Sequence, residues 1–171
     1  MEKKGEGKVL KPAQLYKEEL QEENIKSWYK PENIFWDGGT GGSYIEIHED
    51  NYNHHQFVSV DRDDYVIGYI EYQVDWQSMS ADRFGVISFD KGNVLFAKDV
   101  YKAVCDLFNV YHMNRVGWYA FADNPAVRGY RSFIKKHGGR ECGYCRQIAK
   151  LMDGKLHDGI QFEILAGEFR Q

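Results

Sequence analysis

Hydrophobic residues recur along this chain with two different periods, and the changes of period divide it into elements. Over residues 12–29, Leu15, Tyr16, Leu20 and Trp28 form a loose stripe at helical spacing, with Glu18, Glu19, Glu22 and Glu23 outside it. Pro12 suits a first helical turn, so a helix is predicted there. Pro31 then interrupts, and Asp37 to Gly42 is too glycine-rich for helix or strand, which predicts a loop. From Ser43 the period becomes two. Tyr44-Ile45-Glu46-Ile47 and Phe57-Val58-Ser59-Val60 predict short strands flanking the polar stretch Glu49 to Gln56. Tyr65 to Trp76 is the clearest strand: Val66, Ile70, Tyr72, Val74 and Trp76 mark a buried side, and Tyr69, Glu71, Gln73 and Asp75 a wetter one. Asp61 to Asp64 supplies the turn before it.

The second half alternates. Phe84 to Phe89 predicts a strand, and Asp90-Lys91-Gly92-Asn93 leads into a helix that turns Ala97, Val100, Tyr101, Val104, Phe108 and Tyr111 inward and Lys98, Lys102, Asp106 and Asn109 outward. Val116 to Phe121 follows as a strand; two strands joined by a helix in one sheet run parallel. Asn124-Pro125 opens another helix, with Val127, Tyr130, Ile134 and His137 inward, which stops at Gly138-Gly139. Tyr144 to Leu151 and Gly159 to Leu165 close the chain as a hairpin around an Asp153-Gly154 turn. Residues 1–11 are polar and aperiodic, a flexible terminus in which Lys8-Val9-Leu10 is a candidate edge strand. The prediction is a single α/β domain over 12–171: a mixed, mostly antiparallel sheet with a central parallel strand–helix–strand unit and a helix pair packed on it.

Composition narrows the function. With 22 Lys and Arg against 26 Asp and Glu the net charge is −4, so no cationic field recruits nucleic acid. No run of about 18 apolar residues predicts a membrane span, and Met1 to Leu10 lacks the apolar core of a signal peptide, so a cytoplasmic protein is expected. Three cysteines, Cys105, Cys142 and Cys145, predict reduced thiols rather than a disulfide framework. Cys142 and Cys145 have the spacing of half a zinc site, yet no second pair exists and strand residues three apart face opposite sides, so no metal is predicted. His48, His54 and His55 cluster in one polar stretch, where they read as a base, as metal ligands or as ordinary exposed histidines. The Gly-rich loop lacks both the spacing and the following Lys-Ser/Thr of a phosphate cradle.

This order of elements resembles the GNAT superfamily of acyl-CoA-dependent N-acyltransferases over about residues 12–169. Three segments carry the resemblance: the strand Val66-Ile67-Gly68-Tyr69-Ile70, the helix opened by Asp123-Asn124-Pro125-Ala126-Val127-Arg128-Gly129-Tyr130, and the hairpin from Lys150-Leu151-Met152-Asp153-Gly154-Lys155 to Phe169. The resemblance implies acetyl-CoA as co-substrate, lying between splayed parallel strands with its pyrophosphate on a helix N-terminus, and direct attack by an acceptor amine, small molecule or peptide. It implies Tyr130 as the acid, Glu71 as the base, and Ile87, Ser88, Phe89, Lys91, Gly92, Asn93 and Asn124 as cofactor contacts. The residues themselves leave alternatives: Tyr130 as a core aromatic, Asn124 as a plain N-cap, Glu71 as a solvated strand residue. The family's phosphate loop reads Arg/Gln-x-x-Gly-x-Gly/Ala, whereas this chain has one glycine, a Lys and an Asp there. A GNAT-like binding or assembly protein without catalysis is therefore the alternative reading. Trp28, Tyr29, Phe35 and Trp36 are candidates for the acceptor pocket, for core packing or for a homodimer contact.

Overall fold

The computed structural model describes residues 10–28, 30–35 and 43–171. Seven strands form one sheet: β1 (Leu10–Pro12), β2 (His54–Val60), β3 (Val66–Asp75), β4 (Ser80–Ser88), β5 (Arg115–Phe121), β6 (Arg140–Lys150) and β7 (Leu156–Leu165). Their order across the sheet is β1-β2-β3-β4-β5-β7-β6. Every neighbouring pair is antiparallel except β4 and β5, which run parallel. The three helices are α1 (Lys17–Ser27), α2 (Val94–Asn109) and α3 (Val127–His137). None of the described helices is long and apolar enough to cross a membrane.

Strand periodicity puts alternate side chains on opposite faces, and each face acquires its own core. On one face Val58, Val60, Val66, Tyr69 and Ile87 pack with Ala13 and Leu20 from the α1 side. On the other, Ile70, Tyr72, Ala81, Val116, Trp118, Ile160 and Phe162 pack with Phe96, Val104 and Leu107 of α2 and with Val127 of α3. The sheet is thus sandwiched by α1 on one side and the α2–α3 pair on the other.

The α2 helix starts because the Asn93 side chain accepts from the amides of Leu95 (2.9 Å) and Phe96 (3.3 Å), two donors that have no partner inside the helix. Its buried face is Phe96, Ala103, Val104, Leu107 and Phe108, offset from the predicted stripe: Ala97 is exposed, and Asp99 is buried. Asp99 is accommodated because the buried Ser59 hydroxyl donates to it at 2.6 Å. The α3 helix stops at Gly138, whose φ of 96° lies in the left-handed region open to glycine.

The structure corrects several expectations. The candidate edge strand Lys8-Val9-Leu10 is met at Leu10, which pairs with Ser59 in β1 along the free edge of β2, while Lys11, assigned to the flexible terminus, pairs with Val58; residues 1–9 lie outside the described residues. The N-terminal helix is split, a 3-10 turn at Ala13–Leu15 preceding α1, since Tyr16 breaks helical geometry with φ −130° and ψ 34°. The predicted strand Tyr44–Ile47 is irregular chain with no ladder partner; Ile45 and Ile47 pack on the α1-side core, so their alternation reflects burial rather than pairing. Tyr69, assigned to the wetter side of β3, is fully buried under α1, because this sheet is covered on both faces. The Gly-rich loop lies outside the described residues.

Candidate active site

The two parallel strands part company. β4 and β5 are in register only at Ser80 with Arg115 and Ala81 with Val116, so residues 82–88 of β4 face residues 117–121 of β5 across a gap. On its other side β4 keeps pairing with β3, but with one extra residue: Glu71 opposes Gly85 and Gln73 opposes Asp82. The bulge contains Arg83, whose φ of 53° is unusual for a side-chain-bearing residue.

The gap opens into a cleft of about 700 Å³. One wall is β4 from Arg83 to Ser88, the other is Tyr119, Ala120 and Phe121 of β5, and Asn124, Pro125, Ala126 and Tyr130 close the end. Glu71, Lys91, Asn33 and Phe35 also reach it. The volume suits a small-molecule cofactor with an extended arm.

Of the residues singled out from sequence, Glu71, Ile87, Ser88, Lys91, Asn124 and Tyr130 line this cleft together. Phe89, Gly92 and Asn93 are not among its walls. The Phe89 ring packs on the α1-side core and its amide donates to Ile67 at 3.0 Å. Gly92 adopts φ 75° beside open space. The Asn93 side chain caps α2 and also donates to Asp90 at 2.7 Å. Asn124 likewise forms a local turn, its side chain accepting from the Ala126 amide at 2.9 Å.

Tyr130 and Glu71 differ in their surroundings. The Tyr130 ring sits edge-on to Trp118 and Phe162, at 6.1 and 5.8 Å between centroids. Burial alone pushes its phenol pKa up, and its hydroxyl has no hydrogen-bond partner among the described residues. Glu71 is instead held by neighbours: Oε2 accepts from the Tyr69 hydroxyl and is bonded to His54 Nε2, each at 3.0 Å. The Tyr69 hydroxyl in turn accepts from Gln56 Nε2 at 2.6 Å. Periodicity explains the cluster: His54 and Gln56 on β2 and Tyr69 and Glu71 on β3 fall on the same, α1-side face. Burial beside the Glu71 carboxylate drives the Tyr69 phenol far above its ordinary pKa, so it acts as a fixed donor.

A second polar cluster lies behind the Phe35 and Phe121 rings that line the cleft, and it had no individual signal in the sequence. The buried His157 of β7 bonds Asp123 through Nδ1 at 2.7 Å and Asp153 through Nε2 at 3.1 Å. Phe35 and Phe121 present their rings to it at 6.0 and 6.1 Å. The hydrogen bond to Asp153, then that to Asp123, raise the imidazole pKa against the opposing effect of burial. The signal was nonlocal: Asp123, Asp153 and His157 converge only once β5, β7 and the final turn are placed.

Among the other candidates, Phe35 lines the cleft and Trp28 packs edge-on to Tyr44 at 5.4 Å, while Tyr29 and Trp36 lie outside the described residues. Cys142 and Cys145 are exposed on β6 and Cys105 is half-buried on α2. Among the described residues no group of three or more His, Cys, Asp or Glu is arranged to hold a metal.

A mostly antiparallel seven-stranded sheet, one parallel pair that splays after a bulge, and helices on both faces define the GNAT N-acyltransferase fold, and this chain has it. Solved structures with the same fold include a spermidine N-acetyltransferase from Vibrio cholerae in complex with CoA and spermine, at 17% identity and a TM-score of 0.67, covering 93% of this chain and 95% of that one. The spermidine/spermine N-acetyltransferase SpeG of the same organism, in complex with manganese ions, is 22% identical with a TM-score of 0.60, covering 71% of this chain and 69% of that one. A dodecameric structure of that organism's spermidine N-acetyltransferase is 21% identical with a TM-score of 0.60, over 68% and 67% of the two chains. No family model and no curated protein matches the sequence.

Proposed function

We propose that this protein is an N-acetyltransferase that moves an acetyl group from acetyl-CoA to an amine by direct attack. The observation that carries the reading is the cleft between β4 and β5, whose walls bring Glu71 and Tyr130 together beside an unpaired strand edge. The edge of β4 from Arg83 to Ser88 fits an extended amide-bearing arm, because its unpaired backbone groups need partners. Acetyl-CoA, when bound, supplies a thioester carbonyl open to nucleophilic attack. Backbone N–H groups of the strand polarise that carbonyl. Glu71 takes the proton of the incoming ammonium, and Tyr130, with an uncommitted hydroxyl, gives its proton to the departing thiolate. Lys91 lies in the cleft wall between β4 and α2 and Asn124 at the opening of the α3 segment, with Ile87 and Ser88 offering backbone, while Phe89, Gly92 and Asn93 stand outside the walls. An amine acceptor agrees with the polyamine substrate in the neighbouring Vibrio cholerae complex.

A cytoplasmic location and a homodimer belong to the same proposal. Tyr144 and Ile148 on the outer strand β6 are 60% and 41% exposed, a surface suited to a second copy. Sedimentation velocity tests the dimer.

One observation favours a second reading, a GNAT-fold binding protein without catalysis. Asn93 already occupies the Leu95 and Phe96 amides that a pyrophosphate would otherwise find free at the α2 N-terminus. Calorimetric titration with acetyl-CoA and CoA, followed by thiol release in the presence of spermidine, spermine and a panel of peptide and small amines, separates the two. Micromolar binding weakened by Lys91→Glu, with thiol released, supports the enzyme; CoA binding without turnover of any amine supports the second reading. No binding up to about millimolar CoA from a folded sample overturns the enzyme and supports the second reading.

A further inference from the structure

The chain of contacts behind Glu71 extends beyond the groups that the proposed reaction uses. His54 Nε2 lies 3.0 Å from Glu71 Oε2, and both side chains are about three-quarters buried, at 23% and 26% exposure. The His54 ring is overlaid by His48 with 4.3 Å between centroids. His48 is itself pinned, its amide donating to Gln56 Oε1 at 2.8 Å, and Gln56 holds Tyr69, which holds Glu71. Five residues from β2, β3 and the segment before β2 thus form one linked cluster, whose carboxylate, Glu71, lines the cleft.

The two bonds to Glu71 fall on the same oxygen, Oε2, from Tyr69 and from His54. That arrangement leaves Oε1 without a bond among the described residues and anchors the carboxylate through Oε2. It also requires His54 Nε2 to carry a hydrogen, which both the neutral imidazole and the imidazolium can supply. The two forms differ in charge. A neutral ring orients Glu71 and leaves it basic; an imidazolium at 3.0 Å stabilises the carboxylate, weakens it as a proton acceptor, and repels a cationic amine. The His48 ring lies against that of His54, tilted by 44°. The groups facing His54 are therefore Glu71 and, behind it, Tyr69 from β3, and His48 from the preceding segment; its chain neighbour His55 turns to the opposite face and stacks on Tyr72.

We infer that His54 is a positioning residue for Glu71 and that its protonation switches the site off: the protein acetylates its acceptor only when the His54–Glu71 pair holds a neutral imidazole. The inference rests on the acetyltransferase reading and deepens it.

The test is the pH profile of kcat/KM for the wild type, His54→Gln and His54→Ala, with an amine that the wild type acetylates. The glutamine keeps an N–H donor toward Glu71 but cannot become a cation. His54→Gln should match the wild type within about threefold near pH 8 and lose the acid limb, so that near pH 5.5 it exceeds the wild type by about tenfold. His54→Ala should fall by about tenfold or more at every pH, because Glu71 loses its orientation. A merely structural histidine would leave the acid limb of His54→Gln unchanged, and that result overturns the inference. A second readout is independent of turnover: ring-nitrogen NMR of the full chain should show neutral His54 as the Nε2–H tautomer, with that preference lost in Glu71→Leu. A tautomer indifferent to Glu71→Leu overturns the inference even for an active enzyme. If no amine is acetylated while the tautomer responds, the acetyltransferase reading fails and the His54–Glu71 coupling stands.

Discussion

Gly68 on β3 and Phe96 in the first turn of α2 share one space: a methyl group at position 68 would overlap the Phe96 ring. The hydrogen at Gly68 is what lets the helix end settle on the sheet next to the cleft. Gly68→Ala should lower stability by about 1–3 kcal/mol, as overpacking does in dense cores. Urea unfolding measures it, and Phe96→Leu should recover part of the loss in the double variant because the two sites are in contact.

The proposed chemistry makes a split prediction for the cleft. Tyr130→Phe and Glu71→Gln should each reduce kcat by about 100-fold or more, the usual worth of a general acid or base, while leaving CoA affinity within about twofold. Steady-state kinetics and calorimetry on the same samples check it. Equal losses in CoA affinity would mean that the two side chains support binding rather than proton transfer.

The bonds to Asp153 and Asp123 raise the His157 pKa in the folded protein, so the stabilisation from its charged form is complete below the ordinary imidazole value and fades as pH rises through the higher folded value. The thermal midpoint of the wild type should therefore drop between about pH 6 and 8, and His157→Gln should flatten that dependence. Differential scanning calorimetry across that interval decides.

Arg115 bridges Asp82 at 2.6 Å and Glu163 at 3.0 Å, just where the parallel pair ends. Its hydrogen bond, and then that of Arg140, hold the Glu163 carboxyl below the usual range, so this contribution is present above the ordinary glutamate value and is lost as pH falls through the depressed one. Arg115→Met should cost about 1–3 kcal/mol at neutral pH, the worth of charged hydrogen bonds left half-made. Arg140→Met should cost clearly less than Arg115→Met, because Arg140 is 70% exposed and its pair is solvated. Urea midpoints rank the two.

Much of this fold was legible because periodicity and local signals agree. The turn at Asp61 to Asp64 is there, with the Asp61 amide bonded to the Tyr65 carbonyl at 3.0 Å, and the alternation of Ile70, Tyr72 and Val74 does mark the α2 side. The parallel strands followed from the helix between them. Where local pattern misled, tertiary contact had the stronger hand: Ile45 and Ile47 alternate like a strand but bury against α1, and Asp99 breaks an apolar stripe because Ser59, 40 residues away in sequence, is waiting for it. The cleft residues Glu71, Lys91, Asn124 and Tyr130 were visible from motif order, but the partners of Glu71 were not. His54 and Gln56 meet it through strand register, which depends on a shift between Ser59 and Val60 that no residue type announces. The convergence of His157 with two aspartates is likewise a property of the closed sheet.

A sheet that stops pairing midway creates two internal borders with unsatisfied backbone groups, which elsewhere would invite another chain to add itself as a strand. Here those borders look at each other, β4 against β5, with α3 closing one end. A recess of this shape admits one narrow, flexible, hydrogen-bonding molecule and turns away the broad face of another protein. The same backbone that would be an aggregation hazard on an outer edge is, by its position in the interior of the strand order, reserved for a ligand.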